Sequence, residues 1–157
     1  MIACPMSTNS DLLNSLKYIC KITQKLEGDW VIIGSVAACL SGADLVPKDV
    51  DFCASALFVE TLIGCEIGQN AIKTGQKIFS NPYVTIPIER GLPIDFMGDL
   101  SVFDGNKWQK LVFKSRKTIK FDFGDIYIPE IWEQIEILKT FGRAKDLAKL
   151  PLLQKLL

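Results

Sequence analysis

Two aspartates lie two residues apart in a short stretch of alternating character, Asp49-Val50-Asp51-Phe52. Successive side chains of a β-strand point to opposite faces, so this spacing puts both carboxylates on one face. Two carboxylates held side by side repel each other unless a positive charge lies between them. Oxygen ligands without histidine or cysteine favour Mg²⁺ or Mn²⁺ over zinc. The pattern predicts a divalent-cation site, and the alternative is a strand end that faces water.

A third aspartate repeats this alternation in Ile94-Asp95-Phe96-Met97, where the apolar Ile94 and Phe96 face away from the carboxylate. If its strand lies beside the strand of Asp51, three carboxylates converge on one patch. Such a trio can hold two metal ions and assist attack on a phosphate. The alternative is that Asp95 is a solvated residue near Asp99 and Asp104.

The dipeptide Gly34-Ser35 lies between an apolar run at 30–33 and a stretch of small residues at 36–40. A helix N-terminus exposes free N–H groups and partial positive charge, which suits a phosphate. Glycine lets the backbone approach such a ligand closely. The alternative is an ordinary strand-to-helix turn in which Ser35 is the N-cap residue.

The composition restricts the classes of function open to the chain. Its 157 residues suit a single domain over 1–157. The 18 basic residues balance 18 acidic ones, which argues against an extensive basic surface that wraps nucleic acid. Histidine is absent, which excludes Ser-His-Asp and Cys-His catalysis and zinc sites that need imidazole.

The five cysteines have no C-x-x-C spacing, and we interpret them as reduced side chains that fill the core. A catalytic thiol is the alternative. They are Cys4, Cys20, Cys39, Cys53 and Cys65. The N-terminus shows no secretory signal, and the longest apolar stretch, 30–40, is too short to cross a bilayer. We therefore expect a cytoplasmic protein without membrane contact.

Hydrophobic spacing predicts the elements that must position the candidate side chains. Asn9 or Ser10 caps a first helix, which is followed by strands and helices in the order α, β, α, β and then by a strand-rich middle. The predicted helices are 10–26, 36–40, 56–67 and 106–115, and the predicted strands are 30–33, 49–52, 73–88 with breaks at Gly75 and Asn81-Pro82, 92–97, 117–121 and 126–128.

The C-terminal part, 129–157, is predicted to be helical. Pro129 suits the first turn of a helix, Gly142 interrupts it, and a last helix over 143–157 has Pro151 inside it or between two pieces. Lys139 and Arg143 are four residues apart and would share a face of one helix. Together with a core over about 30–128, these elements predict an α+β domain with a mixed β-sheet and flanking helices.

The order of these parts resembles the polymerase-β-like nucleotidyltransferase superfamily. Its signature is a hydrophobic residue, G-S or G-G, a short spacer and D-h-D-h. Ile33-Gly34-Ser35 and Asp49-Val50-Asp51-Phe52 match it position by position, with 36–48 as the spacer, and Asp95 occupies the place of the third carboxylate. The resemblance implies a minimal nucleotidyltransferase fold with C-terminal helices.

The tail carries a second likeness. The segment 135–147, which includes Gly142-Arg143-Ala144-Lys145-Asp146, is similar to the G-R-x-K-D segment of small prokaryotic nucleotidyltransferase-like proteins, some of which are toxins or antitoxins. The chain departs from them after Asp146, where it reads Leu147-Ala148-Lys149-Leu150 and relatives often have another acidic residue. It also lacks the large added domain of polymerases.

The resemblance implies a specific role for each of these residues. Asp49 and Asp51 would bind Mg²⁺ or Mn²⁺, and Asp95 would complete the second metal site and help to deprotonate an acceptor hydroxyl. Gly34 and Ser35 would hold the β- and γ-phosphates of an NTP. The basic Lys139, Arg143 and Lys145 would contact phosphates or the acceptor, unless they only complete helix ends, and Asp146 would pair with Arg143 or cap the last helix.

Three hypotheses follow from the sequence. The first is an enzyme that transfers a nucleoside monophosphate from an NTP to a small molecule, a protein or an RNA such as tRNA. The second is a binding module with little or no turnover, acting as an antitoxin-like or regulatory partner in a toxin–antitoxin pair. The third is an unrelated α+β domain in which Asp49 and Asp51 are surface acids.

Overall fold

The chain folds into a mixed β-sheet flanked by helices, as predicted. The computed structural model describes residues 9–64 and 77–157 and the backbone of 71–74, so Cys4, Cys65, Gly75 and the predicted helix end at 65–67 lie outside the described residues. The helices are α1 Ser10–Thr23, α2 Gly34–Leu40, α3 Ala56–Gly64, α4 Ile131–Phe141, α5 Ala144–Leu147 and α6 Leu150–Gln154. The strands are β1 Trp30–Ile33, β2 Val50–Ala54, β3 Ala71–Thr74, β4 Ile78–Ile86, β5 Ile94–Gly98, β6 Ser101–Phe103, β7 Trp108–Lys110, β8 Lys117–Phe121 and β9 Gly124–Ile128.

The sheet order brings together strands that are distant in sequence. Among the described strands the order is β1-β2-β5-β4-β6-β7, with β3 paired to β4. The β2–β5 pair is parallel, whereas β1–β2, β4–β5 and β4–β6 are antiparallel. Strands β8 and β9 form a separate hairpin that turns at Asp122-Phe123, close to the predicted position. This pattern confirms the predicted mixed sheet.

Alternation along the strands gives the sheet two different faces. Val50, Phe52 and Phe96 are fully buried on one face, in a core that includes α1, α2, α3 and the hairpin. The opposite face carries Cys53 and Met97, which pack with Ile137 and Phe141 of α4. Cys20, Cys39 and Cys53 are free thiols, which agrees with the reduced state predicted for them. Within the described part of the chain, the helices are too short or too polar to span a bilayer.

Several predicted boundaries differ from the structure. Helix α1 ends at Thr23 rather than 26, and the predicted helix 143–157 is two short helices, α5 and α6, with Pro151 in the first turn of α6. Strand β4 continues through Asn81-Pro82, where a break was predicted. Asp49 precedes β2, which starts at Val50.

The predicted helix over 106–115 is wrong. The Asp104 carboxylate accepts hydrogen bonds from the backbone N–H groups of Asn106 and Lys107 at 2.9 Å each, which favours a turn. Strand β7 follows and pairs with β6. The local side-chain bonds and the available strand edge therefore override the helical propensity of this segment.

A buried carboxylate on α4 holds the segment after β7 in place. Glu133 is 3% exposed and accepts hydrogen bonds from the Lys114 N–H at 2.6 Å, the Ser115 N–H at 2.8 Å and the Ser115 hydroxyl. The Ser115 hydroxyl in turn accepts a bond from the Glu130 N–H at 2.9 Å. These contacts attach the extended segment to the start of α4, the helix that covers the sheet beside the carboxylates.

Replacing Glu133 with glutamine is expected to destabilise the fold. The amide keeps one acceptor oxygen but turns an NH₂ group toward backbone donors, so a buried donor loses its partner. We expect the free energy of unfolding to fall by about 3 kcal/mol in urea titrations. The matched control is Glu136→Gln on the exposed side of the same helix, whose pair with Lys114 at 3.9 Å is weak. Equal effects of the two substitutions would contradict this role of Glu133.

Candidate active site

Strand pairing places the predicted carboxylates side by side. Asp51 on β2 is directly opposite Asp95 on β5 in the parallel ladder, and Asp49 immediately precedes β2. One carboxylate oxygen from each of these three residues lies within 4.8 Å of the others. The structure therefore meets the condition set in the sequence analysis: the strands of Asp51 and Asp95 are neighbours, and Asp49, Asp51 and Asp95 come together.

Two residues of β4 contact this group and were missed by the sequence analysis. Thr85 is opposite Asp95 in the β4–β5 ladder, and its hydroxyl donates to Asp95 Oδ1 at 2.6 Å. Burial, together with the neighbouring Asp95 charge and a hydrogen bond to it, raises the pKa of Tyr83 far above its usual value. The Tyr83 hydroxyl therefore stays protonated. The signal in the sequence was the Tyr83-Val84-Thr85 alternation around a buried valine.

Gly34 lets helix α2 start directly against Asp51. Its φ is +71°, in the left-handed region, and a Cβ added there would lie 2.7 Å from Asp51 Oδ2. Both observations require glycine at this position. The N-cap residue of α2 is Ile33 and forms no side-chain capping bond, so the alternative interpretation of Ser35 as the N-cap is wrong.

The carboxylates of Asp49, Asp51 and Asp95 repel one another in the absence of a cation. Burial, followed by the charges of Asp49 and Asp95, raises the pKa of Asp51 to about 7, while Lys149 and Lys145 lower it. A divalent cation would relieve this repulsion. The donor set consists of carboxylate oxygens from three converging side chains, and such hard ligands fit Mg²⁺ or Mn²⁺.

This raised pKa predicts that metal binding depends on pH. Below pH 7 Asp51 holds a proton that a cation must displace, so Mn²⁺ binding should release a proton. We expect Mn²⁺ affinity to rise by up to about tenfold per pH unit as the pH approaches 7, and to level off above it. Titrations followed by electron paramagnetic resonance of free Mn²⁺ between pH 5.5 and 8.5 measure this. A profile that is flat below pH 7 would contradict the prediction.

The carboxylates form part of the wall of a cavity of about 830 Å³. Gly34 and Ser35 line it beside them. Helix α4 contributes an apolar part through Ile137, Leu138 and Phe141. Four lysines also line the cavity, and the sequence analysis had singled out one of them, Lys145. They are Lys48, Lys77, Lys145 and Lys149.

The three basic residues predicted for the site have different positions. Helix α4 ends at Phe141, with Gly142 at φ +65° as its C-cap, so the predicted shared helix face of Lys139 and Arg143 is wrong. Lys139 is exposed and does not line the cavity. Arg143 lines it, but its Nε and Nη2 donate to the Asp146 carboxylate at 2.6 and 3.0 Å.

Asp146 has a structural role in this arrangement. It is 2% exposed and also accepts a hydrogen bond from the Arg143 backbone N–H at 3.2 Å, which caps α5. The two alternatives for Asp146, pairing with Arg143 and capping the last helical segment, therefore both hold. The pair with Asp146 fixes the Arg143 guanidinium. Of the three predicted basic residues, Lys145 is therefore the one that lines the cavity and has no ion pair with a described residue.

Comparisons with known proteins identify the class of fold. Neither a protein-family model nor a curated protein sequence matches the chain. Its structure is similar to that of a candidate nucleotidyltransferase from Thermotoga maritima, with a TM-score of 0.71 and 20% identity over 96% of this chain and 93% of that one. It is also similar to an antigenic nucleotidyltransferase-like protein from Paracoccidioides brasiliensis, with a TM-score of 0.58 and 15% identity over 94% and 78% of the two chains.

These similarities show that the chain has a nucleotidyltransferase-like fold. This agrees with the α+β class and with the general fold that the two sequence motifs implied. Membership of the polymerase-β-like superfamily stays a prediction, as do the roles of the individual site residues.

Proposed function

We propose that this protein is a metal-dependent nucleotidyltransferase, which moves a nucleoside monophosphate from an NTP to a hydroxyl acceptor and releases pyrophosphate. The observation that carries the proposal is the convergence of Asp49, Asp51 and Asp95, with oxygens within 4.8 Å of one another, next to Gly34-Ser35 in one large cavity. The nucleotidyltransferase-like fold supports it.

Asp49, Asp51 and Asp95 would hold Mg²⁺ or Mn²⁺, which neutralises phosphate charge and activates an oxygen nucleophile. The reaction needs positioning and charge neutralisation rather than a covalent nucleophile, so a chain without histidine can perform it. The pKa of Asp51, near 7 without a cation, would fall when a cation binds.

Other residues of the cavity would bind the phosphates of the nucleotide and activate the acceptor hydroxyl. Gly34 and Ser35 would bind the β- and γ-phosphates with backbone and hydroxyl donors, assisted by Lys145. The acceptor oxygen would attack the α-phosphorus in line, and the bond from the α-phosphorus to the bridging oxygen would break as pyrophosphate leaves. Asp95, oriented by Thr85 at 2.6 Å, would accept the proton of the acceptor hydroxyl.

Nucleotide titrations test this proposal. ATP, CTP, GTP and UTP are titrated into the protein with and without Mn²⁺, for the wild type and for Asp49→Ala combined with Asp51→Ala. We expect the wild type to bind at least one NTP in a metal-dependent manner and the double variant to lose that dependence. The control, Asp44→Ala combined with Asp122→Ala, removes two exposed acids away from the cavity. Absence of metal-dependent binding in the wild type would refute the proposal.

Turnover separates this enzyme from the regulatory binding module that the sequence also allows. Transfer of label from an α-³²P-NTP to small-molecule, protein and tRNA acceptors is the measurement. The carboxylate oxygens of Asp49, Asp51 and Asp95 lie within 4.8 Å of one another and Gly34 lies against Asp51, which favours the enzyme. Metal-dependent binding without transfer to any class of acceptor would instead favour the binding module, including an antitoxin-like partner.

A further inference from the structure

Lys149 lies at the cavity wall and has no role in the function proposed above. It is the N-cap residue of α6, is half-buried, and lines the cavity with Asp49, Asp51 and Asp95. Its backbone is helical, and its N–H donates to the Asp146 carbonyl at 3.1 Å, so the turn continues from α5. Residues four apart on such a turn share one side, which pairs Lys149 with Lys145.

In the described part of the chain, no carboxylate forms an ion pair with these two ammonium groups. Among the described residues, neither Lys145 nor Lys149 has an acidic oxygen within 4.0 Å, whereas Arg143 beside them is bound by Asp146. The cavity is therefore lined both by the three carboxylates, which form its acidic wall, and by Lys145 and Lys149, which form its basic wall, and within the described residues no ion pair joins the two walls.

The other two lysines of the cavity are placed differently. Lys77 Nζ lies 3.2 Å from the position that a Cβ on Gly142 would take, at the C-terminal end of α4, where helix carbonyls attract a cation. Lys48 is exposed, as Lys145 is, but it directly precedes Asp49 in the chain and is far in sequence from the turn that carries Lys145 and Lys149. Lys145 and Lys149 are thus the two lysines of the cavity that share one helical turn, so both can bind one anion.

We propose, on the basis of the nucleotide site proposed above, that Lys149 binds the β- and γ-phosphates of the substrate directly, together with Lys145. Ammonium groups bind phosphate oxygens through charge-assisted hydrogen bonds. The basic wall therefore holds a polyphosphate even without a divalent cation, and the carboxylates add metal-dependent affinity to it. Lys149 is a substrate-binding residue that the nucleotidyltransferase resemblance did not indicate.

Inorganic tripolyphosphate in the presence of EDTA is the probe, because it contains neither nucleobase nor metal. Calorimetric titration of the wild type should show binding, and Lys149→Met should weaken it about tenfold. Lys149→Arg keeps the charge and should stay within about threefold of the wild type. The matched control is Lys139→Met, which removes the same charge outside the cavity and should leave affinity unchanged.

The outcomes distinguish this inference from the proposed function. No metal-free binding by the wild type would overturn the inference, and so would equal affinities of Lys149→Met and Lys139→Met. Circular dichroism of each variant checks that the fold is kept. Combining Asp49→Ala with Asp51→Ala should leave metal-free tripolyphosphate binding intact or tighter, since it removes repulsion. Failure of metal-dependent NTP binding alone would refute the nucleotidyltransferase and leave the polyphosphate site standing.

Discussion

Replacing Asp51 with asparagine is expected to lower nucleotide transfer by about 1000-fold or more and, at the same time, to stabilise the metal-free protein. Asparagine keeps the shape of the side chain but removes the central charge of the carboxylate group. Loss of that charge removes the metal-dependent affinity, while it also removes the repulsion from Asp49 and Asp95. The expected result is therefore opposite in sign for activity and stability.

The stability effect has a defined pH dependence. The unfolded Asp51 carboxyl loses its proton near pH 3.8, whereas the folded one keeps it up to about pH 7. The metal-free wild type therefore loses stability as the pH rises from 4 to 7. At pH 8 we expect Asp51→Asn to melt roughly 3 °C or more above the wild type, with a smaller difference at pH 5.

Thermal unfolding in EDTA and transfer assays with Mn²⁺ measure the two effects. Asp122→Asn, at the exposed turn between β8 and β9, is the matched control and should change neither. If Asp51→Asn lost activity and stability together, the carboxylate would have a structural role rather than one in metal binding.

Replacing Gly34 with alanine should have the next largest effect. The new Cβ would lie 2.7 Å from Asp51 Oδ2 at a φ of +71°, so either the start of α2 or the carboxylate must move. A displacement of about 1 Å at a reacting site lowers activity by roughly 100-fold. We also expect the free energy of unfolding to fall by about 2 kcal/mol.

Gly105→Ala is a matched control for this substitution. Gly105 has a φ of +101°, but a Cβ there meets nothing within 4 Å. Gly105→Ala therefore introduces the backbone strain without a contact to a site residue. It should lower the free energy of unfolding and leave transfer activity unchanged. Equal loss of activity in the two variants, measured with urea titrations and transfer assays, would show that the contact with Asp51 is unimportant.

Local patterns in the sequence predicted the parts of the site that lie on single elements. The alternation of Asp49-Val50-Asp51-Phe52 and of Ile94-Asp95-Phe96 separated the buried side chains from the carboxylates, and both strands are present. Strand 30–33 and the glycine at the start of α2 were also predicted. Each of these features depends on the period of one strand or on one backbone angle, which a few neighbouring residues determine.

Local patterns failed where another segment completes the structure. The stretch 106–115 is a turn, a strand and an extended segment because β6 pairs with it and Glu133 binds its backbone. Lys139 and Arg143 do not share a helix face because α4 ends at Gly142 and Asp146 holds the guanidinium. In the first case the partners lie on other elements, which the residue types alone do not orient. In the second, the break at Gly142 and the pairing of Arg143 with Asp146 were themselves predicted, and they exclude the shared helix face.

The sequence by itself determined which residues are acidic, which face of each strand they occupy, and that glycine precedes the second helix. Only the tertiary structure decided that β2, β5 and β4 are neighbours, which places Asp51, Asp95 and Thr85 in one row. It also decided that Lys149 lines the same cavity as Asp51 and Asp95. The physical reason is that strand order and the packing of α4–α6 depend on burying apolar faces over long sequence distances, and no local spacing encodes that choice.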